Sequence, residues 1–419
     1  MKVLIVSPIP TDPAVAGNRA RIAALFTALC RLGHDVRFAY VPYYDELADY
    51  DKMMQRLGDR LRILHAAAPP FESVAARLQR KIKRRYQLKS AYSWRVDEWF
   101  DEGLVPQLRH LQARESFDCV LIEYVYLSKV ISALPPAVRT VIDTHDLFGD
   151  RHTRSLDAGS RPYGFATTMA EEISALNRAD AVIATQQEEA EYLRRTISSE
   201  VFTVGHLIDL GVSPPPDPGG ARMLFVGSAN PYNVQGLEWF LDLVFPRIRK
   251  QIPDVELAIA GPVGHERTWP NGTSVLGTQE SLAAAYEDAT LVINPVLFGT
   301  GLAIKTIEAL SYGKPVVATP DGIRGLETDF HGALLLAETP DAFVRQVLEL
   351  LENGTARSAM SHRAIAASGE WQRRQLTMLN VAIAGQQPRY SDDAHGMADT
   401  ISRGRGRSHS RFFRDAPTR

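Results

Sequence analysis

Lys305 and Glu308 stand three residues apart in the run Phe298 to Gly325, FGTGLAIKTIEALSYGKPVVATPDGIRG. On a helix that spacing sets a cation and a carboxylate side by side on one face. The cation suits a phosphate, and the carboxylate can accept hydrogen bonds from sugar hydroxyls. An isolated pair of this kind is more often a solvent contact worth roughly a few tenths of a kcal/mol, so the flanking residues decide the reading. Gly299, Thr300 and Gly301 make a polar, glycine-interrupted loop, and a helical pattern with Leu302, Ile304, Ile307, Ala309 and Leu310 on its apolar side runs on to Tyr312. Such an entry offers free backbone N–H groups and the positive end of a helix dipole to an anion. Gly313 stops the helix, Pro315 to Thr319 reads as a buried parallel strand, and Pro320-Asp321-Gly322 breaks it, with Arg324 as a further cation.

A second group lies earlier in the chain. The strand Val138 to Asp143 runs into Thr144-His145-Asp146, with Arg151 shortly after. A His just beyond a strand's C-terminal end is in place for a site at the mouth of a parallel sheet, and Asp143 and Asp146 are near enough to fix its tautomer. The preceding strand, Cys119 to Glu123, ends at Glu123-Tyr124. At the N-terminus, Val3 to Val6 is a strand, Gly17 marks the strand-to-helix turn, and Ile22, Leu25, Phe26, Leu29 and Leu32 follow at helical spacing before Gly33 and the strand Val36 to Val41. One glycine here, instead of the three of a dinucleotide fingerprint, disfavours NAD.

These groups need two domains to hold them. A chain of 419 residues is too long for one ordinary core. Strand and helix patterns alternate through residues 1–206; residues 207–221, with Pro214-Pro215-Pro216-Asp217-Pro218-Gly219-Gly220, read as a linker; and alternation resumes over 222–370. The strand Met223 to Val226 is followed by the turn Gly227 to Asn233, which adds Gly227 and Asn233 to the candidate binding residues. Two doubly wound parallel sheets of Rossmann-like type are expected, with a late helix at 371–385 and a disordered basic tail at 386–419. A net charge of −2 points away from nucleic acid. The two cysteines, Cys30 and Cys119, read as apolar fillers in a reducing compartment. The opening MKVLIVSPIP reads as a first strand instead of a signal peptide, because prolines follow it at once. A cytoplasmic protein is expected.

The run Gly299 to Gly325, together with Gly17 and His145, resembles the signature of nucleotide-sugar-dependent glycosyltransferases of the GT-B fold, in particular the retaining family four. The resemblance implies that Glu308 holds the donor ribose, that Lys305 lies near the diphosphate, that Gly17 approaches it from the first domain, and that His145 points at the transferred sugar. It further implies two domains facing one cleft with the 371–385 helix crossing back to the first, transfer with retention, a nucleotide diphosphate sugar as co-substrate, a saccharide or lipid-linked saccharide as acceptor, and no metal or other cofactor. Three positions depart from the family pattern: Thr300 stands where a first Glu is usual, Ser228 where many relatives carry Arg, and Gln235 near an expected Lys. Charge compensation for a diphosphate then falls to Lys305, Arg324 and the helix N-terminus. The departures favour an alternative, a non-catalytic nucleotide-sugar-binding subunit; a nucleotide-sugar epimerase on the same fold is another, and a dehydrogenase is the weakest.

Residues 77–95 are the expected place of any membrane contact. Arg77, Arg80, Lys81, Lys83, Arg84, Arg85 and Lys89 fall together, with Tyr92 and Trp94 behind them. A cationic helix with flanking aromatics suits anionic lipid headgroups, although most charge runs are solvated helix faces.

Overall fold

Short apolar runs bounded by turn residues become strands covered on both faces. The computed structural model describes residues 1–385 apart from 14–16, 44–47, 87, 158–161, 163, 209–215, 265–268, 280 and 300. Thr300, much of the linker around Pro214 and Pro215, and the tail expected to be disordered at 386–419 lie outside the described residues. Met1–Ala384 form one unit.

The first sheet contains β1 (Lys2–Ser7), β2 (Asp35–Tyr40), β3 (Leu61–Ile63), β4 (Cys119–Glu123), β5 (Arg139–Asp143), β6 (Ala181–Ala184) and β7 (Glu200–Thr203). Its order is β3-β2-β1-β4-β5-β6-β7, with every pairing parallel. The second contains β8 (Arg222–Val226), β9 (Glu256–Ala260), β10 (Thr273–Gly277), β11 (Leu291–Asn294), β12 (Val316–Ala318) and β13 (Leu334–Leu336), in the order β10-β9-β8-β11-β12-β13, again all parallel. Each sheet therefore reverses its winding once, between β1 and β4 and between β8 and β11. Ligands of open α/β sheets bind beyond the strand ends at that reversal. The lobes are Rossmann-like, as the sequence pattern expects.

β3, β10 and β13 carry no clear pattern in the sequence. They are edge strands of three to five residues: β3 alternates as Leu-Arg-Ile, β10 offers only Val275-Leu276, and β13 is three leucines long. The helix expected from Leu302 begins two residues later, at Ile304, and runs to Ser311. The cause is local: the Ala303 N–H donates to the Arg324 carbonyl at 3.0 Å, which draws the Leu302-Ala303 backbone toward the turn after β12.

The crossover helix expected at 371–385 is the end of a longer one, Gly354–Ala384. Its first half packs on the second lobe, with Met360 and Ala364 in the two cores flanking that sheet. Its last turns insert Leu379, Ala382 and Ile383 into the core of the first lobe. Where it passes between them it grips the connection: Trp371 Nε1 donates to the His206 carbonyl at 2.8 Å, Gln372 accepts from the Ile208 N–H at 2.9 Å, and Gln375 accepts from the Gly205 N–H at 2.7 Å. Gly205 is needed there, because a Cβ would lie 2.3 Å from the Trp371 ring.

Candidate functional site

The C-terminal ends of both sheets open onto one cleft of about 760 Å³, within the range of small-molecule sites. Gly17, Asp146 and Arg151 line it from the first lobe; Gly227, Asn233, Gly299, Gly301, Leu302, Lys305, Glu308 and Arg324 line it from the second. The helix Gly17–Arg31 and the helix Ile304–Ser311 bring their N-termini together across it, so close that a Cβ on Gly17 would sit 3.2 Å from Ile304 Cδ1. Gly301 adopts φ +77°, and a Cβ there would lie 2.9 Å from Asp146 Oδ1. Glycine at both points keeps backbone N–H groups accessible to an anion between two positive helix ends.

The second lobe orients its polar groups in detail. Asn230 caps the helix Pro231–Leu243 by accepting from the Asn233 N–H at 2.8 Å. Asn233 Nδ2 donates to the Ser228 carbonyl at 2.9 Å, which turns Asn233 Oδ1 toward the Lys305 ammonium bonded to it. Ser228, where relatives place a cation, thus holds the amide that receives Lys305. The ammonium also lies 4.8 Å from the centroid of the Phe225 ring. Asn294, at the end of β11, donates to Thr306 Oγ1 and to the Gly322 carbonyl, both at 2.9 Å, pinning the Lys305 helix to the turn after β12. Burial pushes Lys305 down to about 7 against the opposing pull of Glu308. Burial likewise raises Glu308 to about 7, with Lys305 acting in the other direction. An anion on Lys305 would restore its full charge.

In the first lobe, the His145 ring turns inward. Only 6% of its side chain is exposed, and it is not among the residues lining the cleft. It stacks on Tyr124 with ring centroids 4.1 Å apart, and its Nε2 lies 2.6 Å from Glu123 Oε2. Both rings sit on left-handed backbone, φ 60° at His145 and 72° at Tyr124, an uncommon conformation for residues with a Cβ. Behind them Arg21 forms a bidentate pair with Asp143 at 2.7 and 2.9 Å and donates to the carbonyls of Val204 and Gly205. Burial raises Asp143, but the Arg21 charge outweighs it and holds the carboxyl below the usual range. Glu123 is raised by burial and by Asp143 beside it. Glu123, Asp143 and His145 could each offer one ligand atom to a cation, yet both Asp143 oxygens already accept from Arg21. The neighbouring Asp146 and Arg151 take the positions on the cleft wall that the sequence gives to His145.

Several site residues escaped the sequence reading. Arg21 left a trace, since it stands beside Ile22 on an otherwise apolar helix face. His206 lines the cleft with Nε2 3.8 Å from Glu308 Oε1, and burial pushes it down to about 3, so it is neutral. Tyr286 stacks on Tyr312 at 4.5 Å on the same wall, with its hydroxyl buried and unpartnered. Neither had a local signal: the place of His206 depends on how the lobes meet, and that of Tyr286 on packing within the second lobe.

Two reversing parallel sheets around one cleft, bridged by a returning C-terminal helix, define the GT-B fold. Solved structures agree: sucrose-phosphate synthase from Thermosynechococcus elongatus superposes with a TM-score of 0.61 at 17% identity, over 91% of this chain and 98% of that one. Anabaena HepE in complex with UDP and glucose gives 0.57 at 14% identity, over 91% and 97%. Residues 16–201 match the family model "Glycosyl transferase 4-like domain" and residues 220–353 match "Glycosyl transferases group 1". The chain belongs to the group 1 glycosyltransferases of GT-B fold. An uncharacterized 44.6 kDa protein in the cps region of Klebsiella pneumoniae is 30% identical over 145 residues, which span 32% of this chain and 37% of that relative.

Proposed function

We propose that this protein transfers a sugar from a nucleotide diphosphate sugar to a saccharide or lipid-linked saccharide, with retention at the anomeric carbon and without a metal. The observation that carries the reading is the meeting of two helix N-termini beside Lys305, with Glu308 one turn further along the same wall. A leaving diphosphate would be stabilised by backbone N–H groups, the helix dipoles and the Lys305 ammonium. Glu308 would accept from ribose hydroxyls. His145, held by Glu123 and Tyr124, would reach the sugar through a shift of its loop, and Asp146 and Arg151 would face the acceptor. A role in surface polysaccharide or glycolipid synthesis draws on the cps-region relative, and a nucleotide donor on the UDP and glucose held by HepE. The same reading puts a membrane contact at the basic segment 77–95 and leaves nucleic acid out.

Thermal stabilisation by UDP-, GDP-, ADP- and TDP-sugars, beside NAD, tests the donor site, since a ligand that binds only the folded state raises stability by mass action. One nucleotide sugar should stabilise the protein. Glu308→Ala should weaken that affinity by roughly ten- to a hundredfold, the worth of hydrogen bonds to a charged group. Unchanged affinity in the variant would remove Glu308 from the donor site. His145→Ala should lower turnover far more than donor affinity, and normal turnover would end its assignment. The inward turn of His145 and the Ser228 substitution favour one second reading, a subunit that binds the nucleotide sugar without turning it over; donor stabilisation with no transfer to any acceptor would establish it.

A further inference from the structure

The helix Val74–Arg85 has no buried residue. It carries six cations, Arg77, Arg80, Lys81, Lys83, Arg84 and Arg85, and no acid. Arg80 fastens it to the lobe, pairing with Glu72 at 2.6 Å, donating to the Ser93 carbonyl at 2.6 Å and laying its guanidinium 3.4 Å from the centroid of the Trp94 ring, and Arg84 lies 5.6 Å from the centroid of the Tyr92 ring. The face opposite Arg80 is apolar. Val74, Leu78 and Ile82 recur every four residues there and are 84%, 60% and 48% exposed; Tyr86 and Leu88, just past the helix end, are 71% and 49% exposed. Single exposed apolar side chains are ordinary, but three in one row, with two more just past the helix end and cations beside them, mark a docking surface.

The charge selects the partner. Exposed Lys81 and Arg85 flank the apolar row and exposed Arg77 and Arg84 stand further round the helix, and their long stems allow the charged heads to reach phosphates while the row lies among acyl chains. The place of the helix in the lobe adds a consequence. Lys89, just beyond it, pairs with Asp157 at 2.5 Å. Asp157 ends the helix Arg151–Asp157, about 10 Å long, whose first residue, Arg151, lines the cleft. One short helix therefore joins the exposed row to the first-lobe wall of the site.

We infer that the outward face of the helix Val74–Arg85 docks the protein on an anionic lipid bilayer, with Val74, Leu78 and Ile82 in the headgroup boundary, and that this brings the Arg151 side of the cleft to a membrane-anchored acceptor. The docking stands on the surface alone; the acceptor rests on the transfer reading above.

The test is co-sedimentation of the full chain with vesicles of equimolar phosphatidylglycerol and phosphatidylcholine, and with phosphatidylcholine alone. Wild type should sediment with the anionic vesicles and lose that binding as salt rises. Leu78→Glu with Ile82→Glu should reduce partitioning at least about tenfold, and Lys81→Ala with Arg84→Ala and Arg85→Ala by about a hundredfold. Retained stabilisation by the nucleotide sugar would show that the variants are folded. Equal sedimentation of wild type and variants, or no preference for the anionic vesicles, overturns the docking. So does a change in self-association in the variants when wild type ignores vesicles, since that makes the row a protein interface. Failure of the donor reading would leave vesicle binding intact, so the two ideas fail separately.

Discussion

Lys305→Ala is expected to lower turnover by about a hundred- to a thousandfold, the usual cost of removing one preorganised group that stabilises developing negative charge. The side chain is aimed before any ligand arrives. Asn233 Oδ1 receives the ammonium, Ser228 holds Asn233, and the Phe225 ring backs it. Burial has pushed Lys305 down to about 7 and Glu308 up to about 7, so the pair has given up much of its charge near neutrality. A bound diphosphate would hold the proton on Lys305, and binding above about pH 7 should take up a proton from the buffer. Calorimetry at about pH 8 in buffers of different ionisation enthalpy reads this uptake directly, and the dependence on buffer should vanish in Lys305→Ala. Buffer-independent binding by wild type would place the diphosphate elsewhere.

The same pair shapes stability in the empty protein. Between the ordinary glutamate value of 4.5 and about 7 the folded chain keeps a proton on Glu308 that the unfolded chain has lost, so this group's contribution falls as pH rises. Between about 7 and 10.5 the unfolded chain holds a proton on Lys305 that the folded chain has released, so stability recovers as pH rises further. The contribution of the pair is therefore least near neutral pH, where the nucleotide would act.

Arg21→Met is expected to destabilise the first lobe by about 3–5 kcal/mol, because it leaves Asp143 buried and unpaired. Arg21 is only 3% exposed and Asp143 is fully buried, and the guanidinium also satisfies the carbonyls of Val204 and Gly205. Among the described residues nothing else in contact with Asp143 carries a permanent positive charge; His145 Nε2 stands 3.7 Å away and is engaged by Glu123. The sign with pH follows from Asp143. Its folded value is lowered, so the pair stabilises above the unfolded carboxylate range and loses that contribution as pH falls through the folded value. In the variant Asp143 would be raised and would protonate readily. The loss measured by urea unfolding, followed through the buried Trp99 of the first lobe, should thus be largest at neutral pH and shrink toward about pH 4. A loss under about 1 kcal/mol at neutral pH would show that the network relaxes around the missing charge. The same variant would free His145 from its backing, so donor binding with reduced turnover is the expected functional result.

The architecture was legible because buried parallel strands write themselves as apolar runs closed by turn residues. Val3 to Val6, Cys119 to Glu123, Val138 to Asp143 and Met223 to Val226 needed no tertiary information, and the loop, helix start and Lys–Glu pair around Lys305 were local for the same reason. β3, β10 and β13 were not legible, since three- to five-residue edge strands owe their conformation to the neighbour they pair with. The helix Gly354–Ala384 was recognised only over its second half, because its apolar side changes as it passes from one lobe to the other and no single periodic face runs through it.

What the sequence determined by itself was the alternation of strands and helices and one wall of the site, both of which depend on residues within a few turns of each other. Tertiary structure alone decided the other wall. It set Gly17 against Ile304, brought Asp146 to Gly301, buried His206 beside Glu308, and turned His145 away from the cleft onto Glu123 and Tyr124. Those contacts join residues more than a hundred positions apart, or, for His145, depend on left-handed backbone that packing from Tyr124, Glu123 and Arg21 must enforce. Local pattern carries chemistry that lies on one element; chemistry assembled between elements appears only when the sheets have closed around it.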